Sequence, residues 1–282
     1  MKRKIVDRTS APALKDSTGV KLTRLLGHDM VHQYNPFLLL DVVDSENPED
    51  YRGGFPLHPH RGIETITYML AGECTYRDNS GLEGVIPQGG VQWITAGAGV
   101  QHEGHFVEND QMHYIQFWLN LPRKDKLTDP VYRTVGEDKL PIVSFRGGKI
   151  KVIAGSYGKH RGLKGHFVPL NFYHIFLRKG EKLTIKSNPE DLVMIYLFRS
   201  SMLLSDEEAK EGDLLLFGTG EEIELEAIQG NAQALYFSAP RLQEPVAWGG
   251  PIIMNTEVDL LRAFEELRTN EFAKIKPKVV KK

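Results

Sequence analysis

A single cysteine, Cys74, stands among 282 residues, and that scarcity excludes an internal disulfide. No run approaches the roughly eighteen apolar residues that a membrane-spanning helix needs. The first residues, Met1-Lys2-Arg3-Lys4-Ile5-Val6-Asp7, hold no apolar stretch of the signal-peptide kind. A reducing, cytoplasmic setting is the expectation from these absences. Excess charge is missing as well: a formal net charge of −2 provides no field to attract nucleic acid, and no basic patch precedes the C-terminal tail. Direct nucleic-acid binding and a membrane partner are therefore not expected. What is present, 41% hydrophobic and 26% charged residues, suits an ordinary globular protein large enough for two modest cores.

Short strand-like runs dominate the chain. Phe37-Leu38-Leu39-Leu40-Asp41-Val42-Val43 is the first that reads as a buried strand, and the polar loop from Asp44 to Asp50 ends it. Thr65 to Leu70, Cys74 to Arg77, Val85 to Ile94 and Ile115 to Leu121 follow, separated by Gly72, by the turn Asp78-Asn79-Ser80-Gly81 and by Gly89-Gly90. Such spacing predicts a small antiparallel sandwich or barrel. After a charged connection from Arg123 to Lys139, Ile150 to Gly155, Tyr173 to Leu177, Lys182 to Ile185, Leu192 to Phe198, Leu214 to Phe217 and Ala234 to Phe237 read the same way. Pro87-Gln88-Gly89-Gly90 and Glu211-Gly212-Asp213 occupy similar places in the two halves, a weak internal repeat that suggests two similar barrels. Near the end the period changes. Thr256 can cap a helix over residues 257 to 273, with Val258, Leu261, Phe264 and Leu267 at three- to four-residue spacing, and Lys274 to Lys282 reads as a frayed basic end.

Chemistry concentrates in two places. In Phe55-Pro56-Leu57-His58-Pro59-His60-Arg61-Gly62-Ile63-Glu64, an extended backbone points His58 and His60 to one side. Two imidazoles are half of a metal site, and metal–ligand distances of roughly 2.0 to 2.2 Å require the rest to come from a neighbouring strand. Gly99-Val100-Gln101-His102-Glu103-Gly104-His105 can supply them. His102 is the third candidate, while Glu103, His105 or a water compete for a fourth place. Strand parity turns Glu103 away from the His102 side unless a bulge at Gly104 turns it inward. Phe55, Trp93, Phe117 and Trp118 are candidate pocket walls or ordinary core. Glu64 and His113 read as structural or supporting groups, Cys74 as an inert core residue, and His28, His32, His160, His166 and His174 as structural. Arg61 is either a neutralising partner near the site or a surface residue.

These residues resemble the pirins, a family of the cupin superfamily. The matching stretches are His58-Pro59-His60-Arg61-Gly62 with Glu64-Thr65, Val91 to Gly99 with His102, Gln116-Phe117-Trp118-Leu119-Asn120-Leu121, and Glu244-Pro245-Val246-Ala247-Trp248-Gly249-Gly250-Pro251-Ile252-Ile253-Met254-Asn255-Thr256. They run from the first strand to the final helix. The resemblance implies an all-β fold of two stacked cupin-type barrels, a bicupin, with a short C-terminal α-helix. The expected division is 1–135 for a metal-binding barrel, 136–256 for a second barrel without a metal site, and 257–282 for the helix and tail. It also implies activity or ancestry related to quercetin (flavonol) 2,3-dioxygenases, and some eukaryotic members are nuclear cofactors of transcription factors. Pirins usually hold a metal, commonly iron, through a His-x-His pair and a later His-x-Glu pair. Here the position two after His102 is Gly104, which has no ligating side chain.

The expected function is a mononuclear dioxygenase. One divalent ion, Fe(II) first and Mn, Ni, Cu or Zn as alternatives, would be held by His58, His60, His102 and Glu103, with Glu103 also the base that deprotonates a flavonol before dioxygen opens its ring. A metal-dependent regulatory protein acting on a protein partner is the alternative. A barrel that has lost its metal is the third reading.

Overall fold

The computed structural model describes residues 1–280, whose regular structure is mostly β-strand, with one helix of more than four residues, Glu257–Arg268. Two compact units result, and neither is one continuous piece of chain: Pro12–Lys139 joins Leu242–Lys282, and Met1–Ala11 joins Leu140–Arg241. The contiguous division expected from the sequence differs from this at both termini, because each terminal segment adds to a sheet or core formed far away in the chain. Ile5–Thr9 pairs antiparallel with Leu214–Phe217. Ile252–Met254 returns to the histidine-bearing unit, where Ile253 donates its N–H to the Arg61 carbonyl at 3.0 Å and packs with Ile63, Ile94 and Trp118.

In the histidine-bearing unit, an eight-stranded sheet includes Lys21–Leu26, Phe37–Ser45, Met112–Asn120, Ile63–Ala71, Val91–Thr95 and Val131–Val135 in that spatial order. A four-stranded sheet, Phe55–His60, Val100–Phe106, Cys74–Asp78 and Glu83–Ile86, packs against it. Val43, Met69, Met112 and Tyr114 from the larger sheet share one core with Cys74 and Ile86 from the smaller. Phe37–Val43 is buried at every position, in keeping with six apolar residues out of seven, and Asp41 survives there because Arg24 holds both its oxygens at 2.8 and 2.7 Å. The other unit repeats the plan with a seven-stranded and a four-stranded sheet around its own core. Lys182–Lys186 alternates exposed and buried residues along its length, the period of a strand with one wet face.

One turn depends on glycine. Gly62 has φ +75°, and a Cβ there would lie 1.9 Å from the Ile253 carbonyl oxygen, so the chain that leaves His60 can meet the 252–254 strand only without a side chain.

The C-terminal helix begins as expected, with the Thr256 hydroxyl accepting the Asp259 N–H at 3.1 Å. Its buried side is not the expected one. Leu260 and Ala263 are buried against Ala247, Ile252 and Met254, whereas Val258 and Leu261 are 68% and 67% exposed. The helix carries two overlapping apolar stripes, and docking selects one of them. It also ends at Arg268, five residues short of the expectation, where Asn270 adopts φ +59°. The basic tail is not frayed throughout: Lys278–Val279 pairs parallel with Val131–Tyr132, and Lys281 and Lys282 lie outside the described residues.

Candidate functional site

Pairing between Phe55–His60 and Val100–Phe106 sets His102 directly across from His58, with His60 two residues further along on the same side. The ring centroids are 4.7 Å apart for His58 and His60, 4.6 Å for His58 and His102, and 5.1 Å for His60 and His102. One ring nitrogen from each of the three lies within 4.8 Å of the other two.

Backbone carbonyls determine which nitrogens face inward. His58 Nδ1 is 2.7 Å from the Pro56 carbonyl oxygen, and His60 Nδ1 is 3.3 Å from that of Pro251. A carbonyl can only accept, so each Nδ1 carries the proton and each Nε2 presents a lone pair. The two Nε2 atoms are 3.0 Å apart, and neither has a hydrogen to offer the other. A proton between them would relieve the repulsion, but burial opposes it. Burial lowers the His58 pKa; it holds His60 and His102 well below the usual imidazole range, and the neighbouring rings add to the effect. Both nitrogens of His102 are buried without a hydrogen-bond partner. Three neutral imidazoles with bare nitrogens turned toward one another are the donor set that a nitrogen-binding divalent ion takes, so these residues fit a metal ion and could hold one.

Glu103 is not brought into the cluster. Residues 102 to 106 pair without interruption with residues 78 to 74, so the strand alternates regularly. The one irregularity in this pair of strands lies opposite, where three steps from His58 to Phe55 match two from His102 to Gly104. The bulge is therefore at Pro56-Leu57, not at Gly104, and Glu103 keeps its outward parity. Its Oε2 lies 3.6 Å from Nε2 of His105, another residue on the outer side, and both stay outside the imidazole group. Glu103 still reaches the rim of the cavity that the histidines line.

That cavity has a volume of about 330 Å³, within the usual range for a small-molecule site. Phe55 and Trp118 line it as expected, and Trp118 packs edge-on to His60 with centroids 5.1 Å apart. Trp93 and Phe117 do not line it, because their neighbours Gln92 and Trp118 take the inward positions of the same strands. The polar wall was not anticipated: Arg24 with Asp41, Gln92, and Gln116, whose Oε1 accepts the Trp118 indole N–H at 3.2 Å. Only the alternation of Gln116 with Phe117 hinted at it.

Supporting groups are equally specific. Arg61 is buried, donates to the carbonyls of Ala98 at 2.6 Å and Phe272 at 3.0 Å, pairs with Glu266 at 2.7 Å and stacks on the Phe272 ring at 4.2 Å. Lys126 gave no signal in its charged stretch, yet it is buried, with its pKa pushed down to about 7 by burial. Its Nζ donates to Gly62 O at 2.8 Å, to Ile253 O at 3.0 Å and to Asn120 Oδ1. Both cations hold the chain just beyond His60. Glu64 stands apart from the cluster, buried and accepting the Thr95 hydroxyl at 2.7 Å. Cys74 lines the cavity as a buried thiol pushed up to about 12 by its burial.

Comparison with known proteins identifies the family and the fold. The Pirin family model matches residues 19–119, and the model of the pirin C-terminal cupin domain matches residues 172–273. A pirin-like protein of Caulobacter vibrioides is 35% identical over 262 residues, 91% of this chain and 94% of that one. A Pseudomonas aeruginosa protein named as a candidate quercetin 2,3-dioxygenase is 34% identical over 274 residues, 94% of this chain and 96% of its own length. Among solved structures, that of quercetin 2,3-dioxygenase from Acinetobacter baumannii superposes with a TM-score of 0.91 at 29% identity, over 98% of this chain and 100% of that one. With both family models met in order along a chain that builds two sheet-on-sheet units, the protein belongs to the pirin family and has its bicupin fold.

Proposed function

We propose that this pirin is a metal-dependent dioxygenase that opens the central ring of a flavonol such as quercetin with dioxygen, releasing carbon monoxide and a depside. The observation that carries the reading is the convergence of three unprotonated imidazole nitrogens on the wall of a cavity of about 330 Å³. His58, His60 and His102 would hold the ion, Fe(II) in the first instance, with Mn, Ni, Cu or Zn as alternatives. Bound there, the ion supplies a Lewis acid and a one-electron carrier for a reaction between a closed-shell organic molecule and dioxygen.

The chain's own contribution is positional. The carbonyls of Pro56 and Pro251 keep the His58 and His60 imidazoles in one tautomer and orientation. Phe55, Tyr114 and Trp118 offer flat apolar surface to an aromatic ring system, and the side chain of Gln116 is fixed between Trp118 and Thr67, so the polar wall is preorganised. Glu103, at the rim and paired with the half-exposed His105, is the carboxylate that would take the flavonol hydroxyl proton as the substrate enters and pass it toward solvent. Quercetin and dioxygen together contain every atom of the depside and carbon monoxide, so no further reductant is needed.

The test is metal content followed by turnover. Protein purified without chelator is assayed for metal, loaded anaerobically with each of the five ions, and mixed with quercetin in air. Loss of flavonol absorbance with release of carbon monoxide is expected for at least one ion, and His58→Ala with His60→Ala abolishes both metal retention and turnover. No turnover with any of the five refutes the dioxygenase and leaves the metal-dependent binding protein as the reading.

A further inference from the structure

The wall across the cavity from the imidazoles is built as one line of polar residues. Across the large sheet Arg24 is paired with Asp41, Asp41 with Gln116, Gln116 with Thr67, Thr67 with Gln92, and Gln92 with Thr134. Directly opposed residues of antiparallel strands point to the same side, so these six form a single transverse row. That side is the interior, and all but Thr134 line the cavity. One pleat along the strands, Val43, Met69 and Tyr114 belong to one apolar core; one pleat the other way, Leu39, Ile94 and Trp118 belong to another. The row is therefore a polar layer between two apolar ones, whereas the imidazoles stand on Phe55–His60 and Val100–Phe106 of the smaller sheet.

A polar layer inside a barrel is costly unless its hydrogen bonds are made, and here most of them are. Arg24 donates to both oxygens of Asp41, Gln116 Nε2 donates to Thr67 Oγ1 at 3.2 Å and to the Tyr114 hydroxyl, and Gln92 Nε2 donates to Thr134 Oγ1 at 3.4 Å. Gln116 is fully engaged, because its Oε1 accepts from Trp118. The capacity left over is that of acceptors. Among the described residues Gln92 Oε1 accepts no hydrogen bond, and each oxygen of Asp41 accepts one, from Arg24, of the roughly two that a carboxylate oxygen can take. Arg24 has N–H groups to spare, but its side chain is 43% exposed and solvent can take them, whereas that of Asp41 is 10% exposed. A ligand that covers Asp41 and Gln92 without donating to them leaves buried acceptors unsatisfied, and that penalty exceeds the gain from an ordinary hydrogen bond.

We propose that this row is a second recognition surface of the cavity, selecting ligands whose edge away from the imidazoles carries free hydroxyl groups, and that Asp41 and Gln92 are the acceptors that determine the preference. The inference rests on the flavonol reading above and deepens it, from the ring system to the pattern of hydroxyls the ring system must carry. Asp41 and Gln92 are specificity-determining residues in this scheme; neither belongs to the imidazole cluster.

The test is binding without turnover. Protein loaded with cobalt(II) is kept under argon and titrated with three flavonols that share the same 3-hydroxyl and 4-keto group: quercetin, its 5,7,3′,4′-tetra-O-methyl ether, and 3-hydroxyflavone, which lacks the other hydroxyls and adds no bulk. Wild-type protein is expected to bind quercetin more tightly than either of the others by about tenfold or more, because a site built to accept from hydroxyls rejects the analogue without them. Gln92→Leu and Asp41→Asn, each retaining cobalt as a check that the imidazole side is intact, are expected to lose about threefold or more in quercetin affinity and to bind 3-hydroxyflavone within about twofold of wild type. Equal affinity of wild-type protein for quercetin and 3-hydroxyflavone overturns the proposal and needs no variant to fold. A tetramethyl ether that binds as tightly as quercetin overturns it too, as do variants that keep cobalt and lose both flavonols equally. If none of the three binds, the flavonol reading fails and the inference with it, whereas binding without discrimination refutes the inference alone.

Discussion

Replacing Glu64 by glutamine should stabilise the histidine-bearing unit above neutral pH and change little in acid. Glu64 is fully buried, and burial raises its carboxyl from 4.5 to about 7, although the hydrogen bonds from Thr95 and Trp93 and the charge of Arg133 offset part of the rise. The folded state therefore holds the proton more tightly than the unfolded chain. Below the unfolded value both states are protonated and nothing is lost. As pH rises from there through about 7, the unfolded chain ionises first and stability falls; above that window the loss is complete. A rise of this size corresponds to about 3.5 kcal/mol at most, from about 1.4 kcal/mol per pH unit. Glutamine keeps an acceptor for the Thr95 hydroxyl and cannot ionise. Urea unfolding followed by tryptophan fluorescence at about pH 4 and about pH 8.5 should show the midpoint of Glu64→Gln close to wild type in acid and clearly higher in base. An equal difference at both pH values would refute the buried-carboxyl argument, because only an ionisable group makes the effect depend on pH.

Three other outcomes follow from named contacts. Lys126→Met strands the acceptors at Gly62, Asn120 and Ile253, and should destabilise by on the order of 3 kcal/mol in urea unfolding while weakening cobalt retention, since the chain beyond His60 loses its anchor. Leu260→Ala should cost about 2 to 3 kcal/mol and Leu261→Ala less than about 0.5, because the first is 6% exposed and the second 67%; equal thermal shifts would mean that the helix docks by the other stripe. The metal-free protein should lose stability as pH falls below 6.5, because burial keeps His60 and His102 neutral in the folded state while the unfolded chain takes up protons; bound metal should suppress the loss, and a differential scan at pH 5.5 and 7.5 measures both.

Much of this was legible in the residues. Phe37 to Val43 read as a strand buried on both faces, because the apolar run is short and a polar loop ends it at Asp44, and His58 with His60 had to share a side wherever the backbone was extended. Thr256 announced its helix for a local reason, a hydroxyl placed to accept an N–H three residues on. Local period and local hydrogen bonding are written in neighbours, and neighbours are visible. The tertiary structure alone decided the rest. It put the Pro251 carbonyl behind His60, drew Lys126 and Arg61 inside to hold the same loop, chose Leu260 over Leu261, and placed the bulge at Pro56-Leu57 so that Glu103 stayed outward while Gly104 faced the cavity. Each of these depends on which distant strand lies alongside and in what register. A shift of one residue exchanges the two faces of a strand, and nothing within a single strand of this chain states its partner.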